Sequence, residues 1–363
     1  MKVALVYDRV NKWGGAERVL LSLHEIFPQA PLYTSVYNPM KTPWANVFVL
    51  KTSFLQKFPY ASSVHELLPV FMPLAFESFS FDQYDLVISV TSEAAKGIIT
   101  KPGTLHICYC LTPTRYLWSG YEEYFKNPVN RFFTQPAVSY LRKWDYIAAQ
   151  RPDAYIAISK EVQKRIKKYY GRESEVVYPP VDLPSVKYQV SSIKGKEAGF
   201  FLVVSRLVPY KRIDIAIKAC NRLQLPLKII GTGSEEGRLK SIAGQTIEFL
   251  GNLTDSELVG YYKACRALIF PGLEDFGVVV AEAQKFGRPV IAFYGGGARE
   301  IVKEQKTGLF FYPQTTEALV STLIMFEKKR FSSAICADNA ERFSLALFKK
   351  TFMSLIEKLK DHV

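Results

Sequence analysis

Short apolar runs alternate with helical stretches in both halves of the chain, and this alternation limits the possible folds more than any other feature. The runs have four to six residues, a length typical of buried strands and too short for most helices. They lie at residues 2–7, 85–90, 105–110 and 154–159, and again at 200–204, 227–230, 247–250, 267–270 and 289–292. Strands that alternate with helices in this way predict parallel sheets covered by helices.

The chain has 363 residues, which suggests two domains at about 100–200 residues each. The alternation breaks at Val177-Tyr-Pro-Pro-Val181, because these prolines exclude a helix, and residues 184–198 are polar and loosely patterned. We therefore predict a linker near residues 180–198, between an N-terminal domain over 1–183 and a C-terminal domain over 184–344. A long helix is predicted at about 345–359. Ligands of such sheets bind at the carboxyl ends of the strands, and two facing domains would enclose a cleft.

The formal net charge is +13, and both halves of the chain share the excess of basic residues. Such an excess favours an anionic small molecule, an anionic membrane surface or a nucleic acid as partner. The sequence has no helix-turn-helix, zinc-finger or RNA-recognition signature, so nucleic acid is the least favoured of the three.

The five cysteines are odd in number and lie mostly in apolar runs, which favours buried, reduced thiols over a disulfide framework. Cys108 and Cys110 share one face of a predicted strand, but two thiols are too few for a metal site. The N-terminus leads directly into a strand rather than a signal peptide, and no apolar run is long enough to span a membrane. We therefore expect a cytoplasmic protein.

The most informative segment is the strand, loop and helix at residues 267–283. A loop with Glu274 follows the predicted strand, and a helix is predicted to begin near Gly277. The N–H groups and the positive dipole at a helix N-terminus suit a diphosphate. Glu274 and Glu282 could bind two separated hydroxyl-bearing parts of one ligand. The spacing alone leaves an alternative open, in which Glu274 and Asp275 are solvated cap residues and Glu282 lies on the surface.

Basic or glycine-rich loops follow five other predicted strands. Arg206 and Lys211 follow the strand at 200–204, where an arginine fork and a lysine charge suit phosphate oxygens. Gly14 and Gly15 follow the first strand and would let the backbone approach a ligand closely. Taken singly, the loop with Arg206 and Lys211 could be an ordinary basic loop, and Gly14 with Gly15 could form a tight turn. The other loops contain Gly231 and Gly233, the pair Gly251-Asn252, and three glycines at 295–297.

The order of these loops resembles that of a known family. The chain is similar to the family 4 retaining glycosyltransferases of the GT-B architecture over nearly its whole length, and most strongly over residues 199–312. The C-terminal motifs are the two glutamates at 274 and 282, SRLVPYKR at 205–212, YYKA at 261–264, GRPVIA at 287–292, GGGARE at 295–300 and TGL at 307–309. In the first half, GGAE at 14–17 also follows the family. HICYCLTPTRYLW at 106–118 is similar to the subgroup of bacterial mannosyltransferases that build cell-surface polysaccharides.

The resemblance implies a GT-B fold, with two doubly wound Rossmann-like domains facing across a cleft and a terminal helix at 345–363 that crosses back to the first, acceptor-binding domain. It also implies that Arg206, Lys211 and Glu274 act in catalysis. The two cations would stabilise the leaving diphosphate in place of a metal ion, and Glu274 would contact the donor sugar. Glu282 would hold the ribose hydroxyls. The complete donor site implied by the resemblance is Gly14, Gly15, Ser205, Arg206, Lys211, Gly231, Gly233, Asn252, Leu253, Glu274, Asp275, Phe276, Gly277, Val278 and Glu282.

One residue departs from the family pattern. Leu111 stands where the family usually has a histidine that contacts the transferred sugar, and leucine cannot donate a hydrogen bond. Either the donor preference is altered, or Thr112 or Arg115 substitutes, or activity is weak. The predicted acceptor residues are Leu111, Thr112, Arg115 and Tyr116. His106 is predicted to be structural, because strand alternation places it and Leu111 on opposite faces.

By resemblance, the chain transfers a hexose from a nucleotide sugar to a glycan or lipid-linked acceptor, with retention by front-face attack. GDP-mannose is the first choice of donor, and no other cofactor, metal or nucleic acid is expected. A nucleotide-sugar epimerase of the same fold and a weakly active or non-catalytic carbohydrate-binding relative are the alternatives. Peripheral contact with the inner face of the cytoplasmic membrane is a further expectation. It rests on the basic segment 160–172 and on the aromatic-rich segments 54–60 and 71–81. The alternative is that the basic segment is a solvated helix face and that the aromatic residues belong to the core.

Overall fold

The computed structural model describes residues 1–58, 69–181 and 199–360. The chain divides into two compact units, one formed by Met1–Pro180 with Phe348–Val363 and the other by Val181–Leu347. The predicted domain boundary at residues 183 and 184, and the polar stretch at 184–198, lie outside the described residues. Each unit is built on one parallel sheet.

Within the described residues, the sheet of the first unit has seven strands in the order β3-β2-β1-β4-β5-β6-β7. The strands are β1 (Val3–Tyr7), β2 (Leu32–Thr34), β3 (Leu50–Thr52), β4 (Leu86–Thr91), β5 (Leu105–Cys110), β6 (Ala154–Ala157) and β7 (Glu175–Val176). The α-helices are α1 (Gly15–Ile26), α2 (Met72–Glu77), α3 (Tyr121–Tyr124), α4 (Pro128–Ala148) and α5 (Lys160–Tyr170). Short 3₁₀ helices lie at Pro43–Val47, Phe54–Lys57, Pro69–Phe71 and Ala95–Gly97.

The central strands of this sheet explain why the sequence shows continuous apolar runs. Every residue of β1, β4 and β5 is buried, as expected for parallel strands that have helices on both faces. Helix α5 shows how the covering helices are specified. The Ser159 side chain accepts a hydrogen bond from the Val162 N–H at the start of the helix, and Gly171 ends it with φ of 69°.

The sheet of the second unit has six strands among the described residues, in the order β10-β9-β8-β11-β12-β13. The strands are β8 (Phe201–Val204), β9 (Leu227–Ile230), β10 (Ile247–Gly251), β11 (Ala267–Phe270), β12 (Val290–Phe293) and β13 (Gly308–Phe311). The α-helices are α6 (Ile213–Leu223), α7 (Glu236–Ser241), α8 (Asp255–Ala264), α9 (Val278–Lys285), α10 (Ala298–Ile301), α11 (Thr316–Glu327), α12 (Ser333–Ala340) and α13 (Leu345–Lys360). Short 3₁₀ helices lie at Pro209–Lys211 and Glu341–Phe343.

The terminal helix α13 ends in the first unit. Its Phe348 and Phe352 rings lie 6.1 and 6.2 Å from the ring of Tyr109 on β5, measured between centroids. Both phenylalanines are buried. This confirms the prediction that the terminal helix returns to the N-terminal domain.

The strand order of each sheet reverses at one point. In the first unit the chain winds outward from β1 to β3 and then crosses to β4 on the other side of β1, and in the second unit β8 and β11 are the corresponding strands. Both sheets are therefore doubly wound in the Rossmann sense, as predicted. In such sheets the loops at the carboxyl ends of the two strands that flank the reversal separate and leave a crevice.

Two features of the first unit differ from what the sequence suggests. Strands β2 and β3 fall in stretches that show no clear apolar run, and they form one edge of the sheet. The aromatic-rich segment at 71–81 divides, because Phe76 and Phe81 belong to the core whereas Phe71 is 52% exposed. Residues 59 and 60 of the other aromatic segment lie outside the described residues.

Candidate active site

The crevice of the second unit contains an ion pair between the two loops that flank it. Lys211 follows β8 and Glu274 follows β11, and the Lys211 Nζ pairs with the Glu274 Oε1. Lys211 is only 8% exposed. The two residues lie far apart in the sequence, so the reversal of strand order is what brings these two predicted catalytic residues together.

The backbone around Lys211 fixes the position of its side chain. The 3₁₀ turn at Pro209–Lys211 ends at Arg212, which has a left-handed φ of 51°. On the other side of the crevice, a Cβ atom built at Gly272 would lie 3.0 Å from the Cα of Lys211. The glycine therefore allows the loop after β11 to pack directly on Lys211.

Arg206 has a different environment from Lys211. It is exposed, and its Nη2 donates a hydrogen bond of 2.7 Å to the hydroxyl of Tyr210. The Lys211 Nζ lies 5.0 Å from the centroid of the same tyrosine ring. Tyr210 thus contacts both predicted phosphate-binding cations, a role that the sequence did not reveal.

The three glycines at 295–297 support the loop that carries Glu274. The Gly297 N–H donates to the Glu274 carbonyl oxygen at 2.9 Å. A Cβ atom at Gly297 would lie 2.4 Å from the Cα of Phe276, and one at Gly296 would lie 2.2 Å from the Glu274 carbonyl oxygen. Because these separations are shorter than real Cβ contacts, the glycines permit the close packing that positions Glu274, Asp275 and Phe276.

Helix α9 begins directly after Gly277, as the sequence predicts. Gly277 has φ of 92°, a left-handed conformation that glycine adopts readily, and Val278 is the first helical residue. Phe276 is buried against Phe343, with ring centroids 5.3 Å apart. The first turn of the helix therefore has its N–H groups and positive dipole end beside the Glu274 loop, an arrangement that suits an anion.

Glu282 lies inside α9 and is buried, with 2% of its surface exposed. Its Oε2 accepts a hydrogen bond of 2.7 Å from the hydroxyl of Tyr262 on α8. The Tyr262 ring in turn stacks on Phe286, with centroids 5.8 Å apart. The alternative that placed Glu282 on the surface is therefore wrong. Tyr262 belongs to the YYKA motif, but no role could be assigned to it from the sequence alone.

The small residues after β9 and β10 bring further predicted donor residues together. A Cβ atom at Gly231 would lie 2.0 Å from the carbonyl oxygen of Ser205, and one at Gly233 would lie 2.2 Å from that of Leu207. Asn252 accepts a hydrogen bond of 3.3 Å from the Thr232 hydroxyl through its Oδ1, and Leu253 follows it. These glycines allow the loop after β9 to pack on the loop after β8, beside the predicted phosphate residues.

Gly14 and Gly15 belong to the first unit, where they begin α1. Gly14 is the N-cap of the helix and Gly15 is its first residue. The buried Glu17 carboxylate accepts a hydrogen bond of 2.5 Å from the Tyr7 hydroxyl, and burial together with this carboxylate raises the pKa of Tyr7 well above its ordinary value. A Cβ atom at Gly14 would lie 3.2 Å from Glu17 Oε2. The role of the two glycines toward a donor stays a prediction.

The predicted acceptor residues lie in the loop after β5. The Leu111 N–H donates to the Thr91 carbonyl oxygen at 2.8 Å, and Leu111 is half-buried. Thr112 is buried, and Arg165 donates to its hydroxyl at 3.5 Å. Arg115 and Tyr116 are also half-buried. Burial raises the pKa of Tyr116 well above its ordinary value, and the nearby Glu93 carboxylate adds to this effect.

A buried carboxylate that the sequence did not reveal anchors this loop. Asp145 on α4 accepts hydrogen bonds from the Thr114 hydroxyl at 2.8 Å, the Trp118 indole at 2.7 Å and the Tyr170 hydroxyl at 2.9 Å. It also pairs with Lys96 at 2.5 Å, and both charged side chains are at most 2% exposed. The network fixes the segment that carries the four predicted acceptor residues.

His106 is a structural residue, as predicted. It is fully buried on β5, and its Nε2 is joined to the Ser89 hydroxyl by a hydrogen bond of 2.9 Å. Burial, with smaller contributions from Arg151 and Arg172, lowers the pKa of His106 to about 3. The five cysteines are free and buried. Within the described ranges, no group of three or more histidine, cysteine, aspartate or glutamate side chains could hold a metal ion.

The whole chain aligns with solved structures of one architecture. It matches HepE of Anabaena in complex with UDP with a TM-score of 0.71 and 21% identity, covering 99% of this chain and 100% of that one. It matches the lipopolysaccharide outer core galactosyltransferase WaaB with a TM-score of 0.69 and 20% identity, covering 99% of both chains. Together with the two doubly wound sheets, these matches define a GT-B fold.

The sequence of the second unit matches a family model. The model of the glycosyl transferases group 1 matches residues 187–343. The chain is 28% identical over 215 residues to O-antigen chain mannosyltransferase C of Escherichia coli, covering 56% of each protein. It is 29% identical over 199 residues to a GDP-mannose-dependent monoacylated alpha-(1-6)-phosphatidylinositol monomannoside mannosyltransferase of Corynebacterium glutamicum, covering 47% of this chain and 52% of that protein. The chain thus spans about half the length of these relatives.

Proposed function

We propose that the chain is a retaining glycosyltransferase that moves a hexose, with mannose as the first choice, from a nucleotide sugar to a glycan or lipid-linked acceptor. The observation that carries this proposal is the Lys211–Glu274 pair in the crevice of a group 1 glycosyltransferase domain. The names of the mannosyltransferase relatives support mannose, and one of those names specifies GDP-mannose. The UDP bound to HepE supports a nucleoside diphosphate as the common part of the donor.

The proposed chemistry assigns the second unit to the donor. Negative charge develops on the diphosphate as the bond to the sugar breaks, and preorganised cations stabilise that charge more than they stabilise the ground state. Arg206, Lys211 and the first turn of α9 would supply this stabilisation in place of a metal ion. Glu274 would bind the sugar, and Glu282, held by Tyr262, would bind the ribose hydroxyls. With front-face attack, the departing phosphate would take the proton of the acceptor hydroxyl.

A panel of nucleotide sugars tests the donor assignment. A ligand that binds only the folded state raises apparent stability by mass action. We expect one donor, with GDP-mannose first among the candidates, to raise the melting temperature of the wild type. The same donor should lose most of this effect on Glu274→Gln, whereas Glu248→Gln, an exposed carboxylate of the same unit, serves as the matched control. If no nucleotide sugar stabilises the wild type, the proposal is wrong.

Leu111 favours a second candidate, a weakly active or non-catalytic carbohydrate-binding relative. Release of sugar from the stabilising donor separates the two, because a non-catalytic relative binds the donor without consuming it. An epimerase of the same fold would instead release a free epimer without needing an acceptor. We expect the wild type to transfer sugar to an acceptor faster than it releases free sugar or a free epimer.

We also propose a cytoplasmic location with peripheral contact between the first unit and an anionic lipid surface. Among the described residues, no helix has the length and apolar character required to cross a membrane. Lys164, Lys167 and Lys168 are exposed on α5, on the side away from its buried residues. On α4, Phe132 and Phe133 are 72% and 74% exposed. Exposed aromatic and basic side chains both suit the interface of a bilayer.

Sedimentation with vesicles tests the membrane contact. Wild type should sediment with vesicles that contain phosphatidylglycerol and less with vesicles of phosphatidylcholine alone. Phe132→Ser with Phe133→Ser, or charge reversal of Lys164, Lys167 and Lys168, should abolish binding. Ile335→Ser, which changes an exposed apolar residue of the second unit, should leave it intact. Failure of the wild type to sediment would end this part of the proposal without affecting the donor site.

A further inference from the structure

The crevice of the first unit contains a second ion pair between loops. Arg9 lies two residues after β1 and Glu93 lies two residues after β4, and these are the strands that flank the reversal of strand order in the first sheet. The Arg9 Nη2 pairs with the Glu93 Oε1, and the two side chains are 14% and 21% exposed. In the second unit Lys211 and Glu274 occupy the corresponding loops, with side chains 10% and 24% exposed. Each unit therefore has a cation and a carboxylate, partly accessible to solvent, at its own ligand-binding edge.

The loop that carries Glu93 is held rigidly. The Asp8 carboxylate, which is 3% exposed, accepts hydrogen bonds from the Thr91 hydroxyl and the N–H groups of Ser92 and Ala95, at 2.8, 2.8 and 2.9 Å. The Glu93 N–H donates to the Thr91 hydroxyl at 2.9 Å. These bonds fix the loop on both sides of Glu93, so its carboxylate needs no large rearrangement before it can bind a ligand.

The stability that the Arg9–Glu93 pair contributes is too small to account for its burial. Removing two charges from water has a cost that their attraction often fails to repay, so a largely buried ion pair is a weak source of stability. Burial raises the pKa of Glu93, and Arg9 offsets this effect only in part. A ligand with hydroxyl groups would give both charged groups the hydrogen bonds that they lose on leaving water, because a carboxylate accepts them and a guanidinium donates them.

Tyr116 connects this pair with the loop after β5. Burial raises the pKa of Tyr116, the Glu93 carboxylate adds to this rise, and the Arg9 guanidinium acts in the opposite direction. Tyr116 is one of the predicted acceptor residues, whereas Leu111 in the same loop can offer no hydrogen bond. Arg9 and Glu93 add two charged groups at this edge of the sheet.

We propose that Arg9 and Glu93 form a subsite for the acceptor, in which Glu93 accepts hydrogen bonds from hydroxyl groups of a neutral hexose and Arg9 donates to its oxygens. This assignment rests on the proposed glycosyltransferase function. It makes the pair specificity-determining residues that act on the acceptor rather than on the donor.

Transfer kinetics with two readouts test the subsite. The probes are octyl glycosides of mannose, glucose and galactose as acceptors, and the panel of nucleotide sugars as donors. Glu93→Gln should raise the KM for the acceptor about tenfold or more, the effect of losing a hydrogen bond to a charged group. The donor-induced rise in melting temperature should stay unchanged. The matched control is Glu77→Gln, which breaks the Arg151–Glu77 pair in the same unit. The side chains of both members of this pair are 26% exposed.

The outcomes separate this inference from the proposed function. The subsite proposal is wrong if the KM of Glu93→Gln for the acceptor stays within twofold of wild type. It is also wrong if Glu77→Gln raises this KM by the same factor, or if Glu93→Gln loses the donor-induced rise in melting temperature. Should Glu93→Gln fail to fold, Arg9→Lys decides by the same criteria, since it retains the charge but not the planar fork. If the wild type transfers no sugar from any donor to any probe, the proposed function itself fails and the subsite falls with it.

Discussion

Lys211 and Glu274 form an ion pair across the point at which the strand order of the second sheet reverses. The pair joins two loops that the sequence separates by more than sixty residues. Both residues belong to motifs that resemble those of family 4 glycosyltransferases, and their meeting in one crevice is what the proposed donor chemistry requires.

Replacing Lys211 tests whether this cation stabilises the leaving group. Lys211→Met should lower kcat by about 100-fold to 1000-fold, the range found when one preorganised group that stabilises developing charge is removed. Lys218→Met changes an exposed lysine of the same unit and should leave kcat near that of wild type. Steady-state release of nucleoside diphosphate measures both. A kcat for Lys211→Met within threefold of wild type would remove Lys211 from the mechanism.

The hydrogen bond between Tyr262 and Glu282 should hold the carboxylate for the ribose. Tyr262→Phe removes a bond to a buried charged group, which we expect to cost about 1.5–3 kcal/mol of unfolding free energy. It should also weaken nucleotide binding. Urea unfolding and calorimetric titration with GDP and UDP measure the two effects. Tyr294→Phe, at an exposed ring of the same unit, is the control, and an unchanged nucleotide affinity in Tyr262→Phe would contradict the assignment.

The buried pair of Lys96 and Asp145 should contribute to the stability of the first unit in a way that an exposed lysine does not. Lys96→Met leaves the Asp145 carboxylate buried without its cation, a change that costs about 3–5 kcal/mol. Lys101→Met, at an exposed position nearby in the sequence, should change the unfolding free energy by less than about 0.5 kcal/mol. Equal unfolding free energies for the two variants would show that the pair does not have this role.

His106 predicts a pH dependence of stability. Its pKa of about 3 in the folded state lies below its ordinary value of 6.5, so the unfolded state binds more protons between these values and stability falls as the pH decreases from 6.5. The loss is about 1.4 kcal/mol per pH unit, and it vanishes above pH 6.5 because the imidazole is neutral in both states. His106→Gln should therefore lose about 2 kcal/mol less than wild type between pH 7 and pH 5. Urea unfolding at the two pH values measures both losses. If wild type and His106→Gln lost equal amounts of unfolding free energy, His106 would not be buried in the neutral state.

The sequence predicted the parts of the fold that burial dictates. Strands that are covered on both faces, such as β4 and β11, appear as apolar runs in the sequence. Strands β2 and β3 have three residues each and lie at one edge of the sheet. Their signal is too short to distinguish from a loop, because pairing with a neighbouring strand rather than local preference defines them.

In the candidate site, too, local motifs predicted some residues, whereas residues with partners distant in the sequence were not predicted. Glu274 and Lys211 were predicted from motifs, whereas Asp145 was not, because its partner Lys96 lies 49 residues away and no local pattern links them. Arg9 and Glu93 were not predicted either, because only the reversal of strand order brings their loops together. Tyr262 stood within a recognised motif, but its contact with Glu282 depends on the packing of α8 against α9.

The central claim is that the chain transfers a sugar with retention of its anomeric configuration. The most direct test incubates the wild type with the donor that stabilises it and the octyl glycoside acceptors, and follows the anomeric protons by NMR. We predict a product glycoside with the same anomeric configuration as the donor, formed in wild type and nearly absent in Lys211→Met. An inverted product would contradict retention, and a donor that stays intact or yields only a free epimer would contradict glycosyl transfer itself.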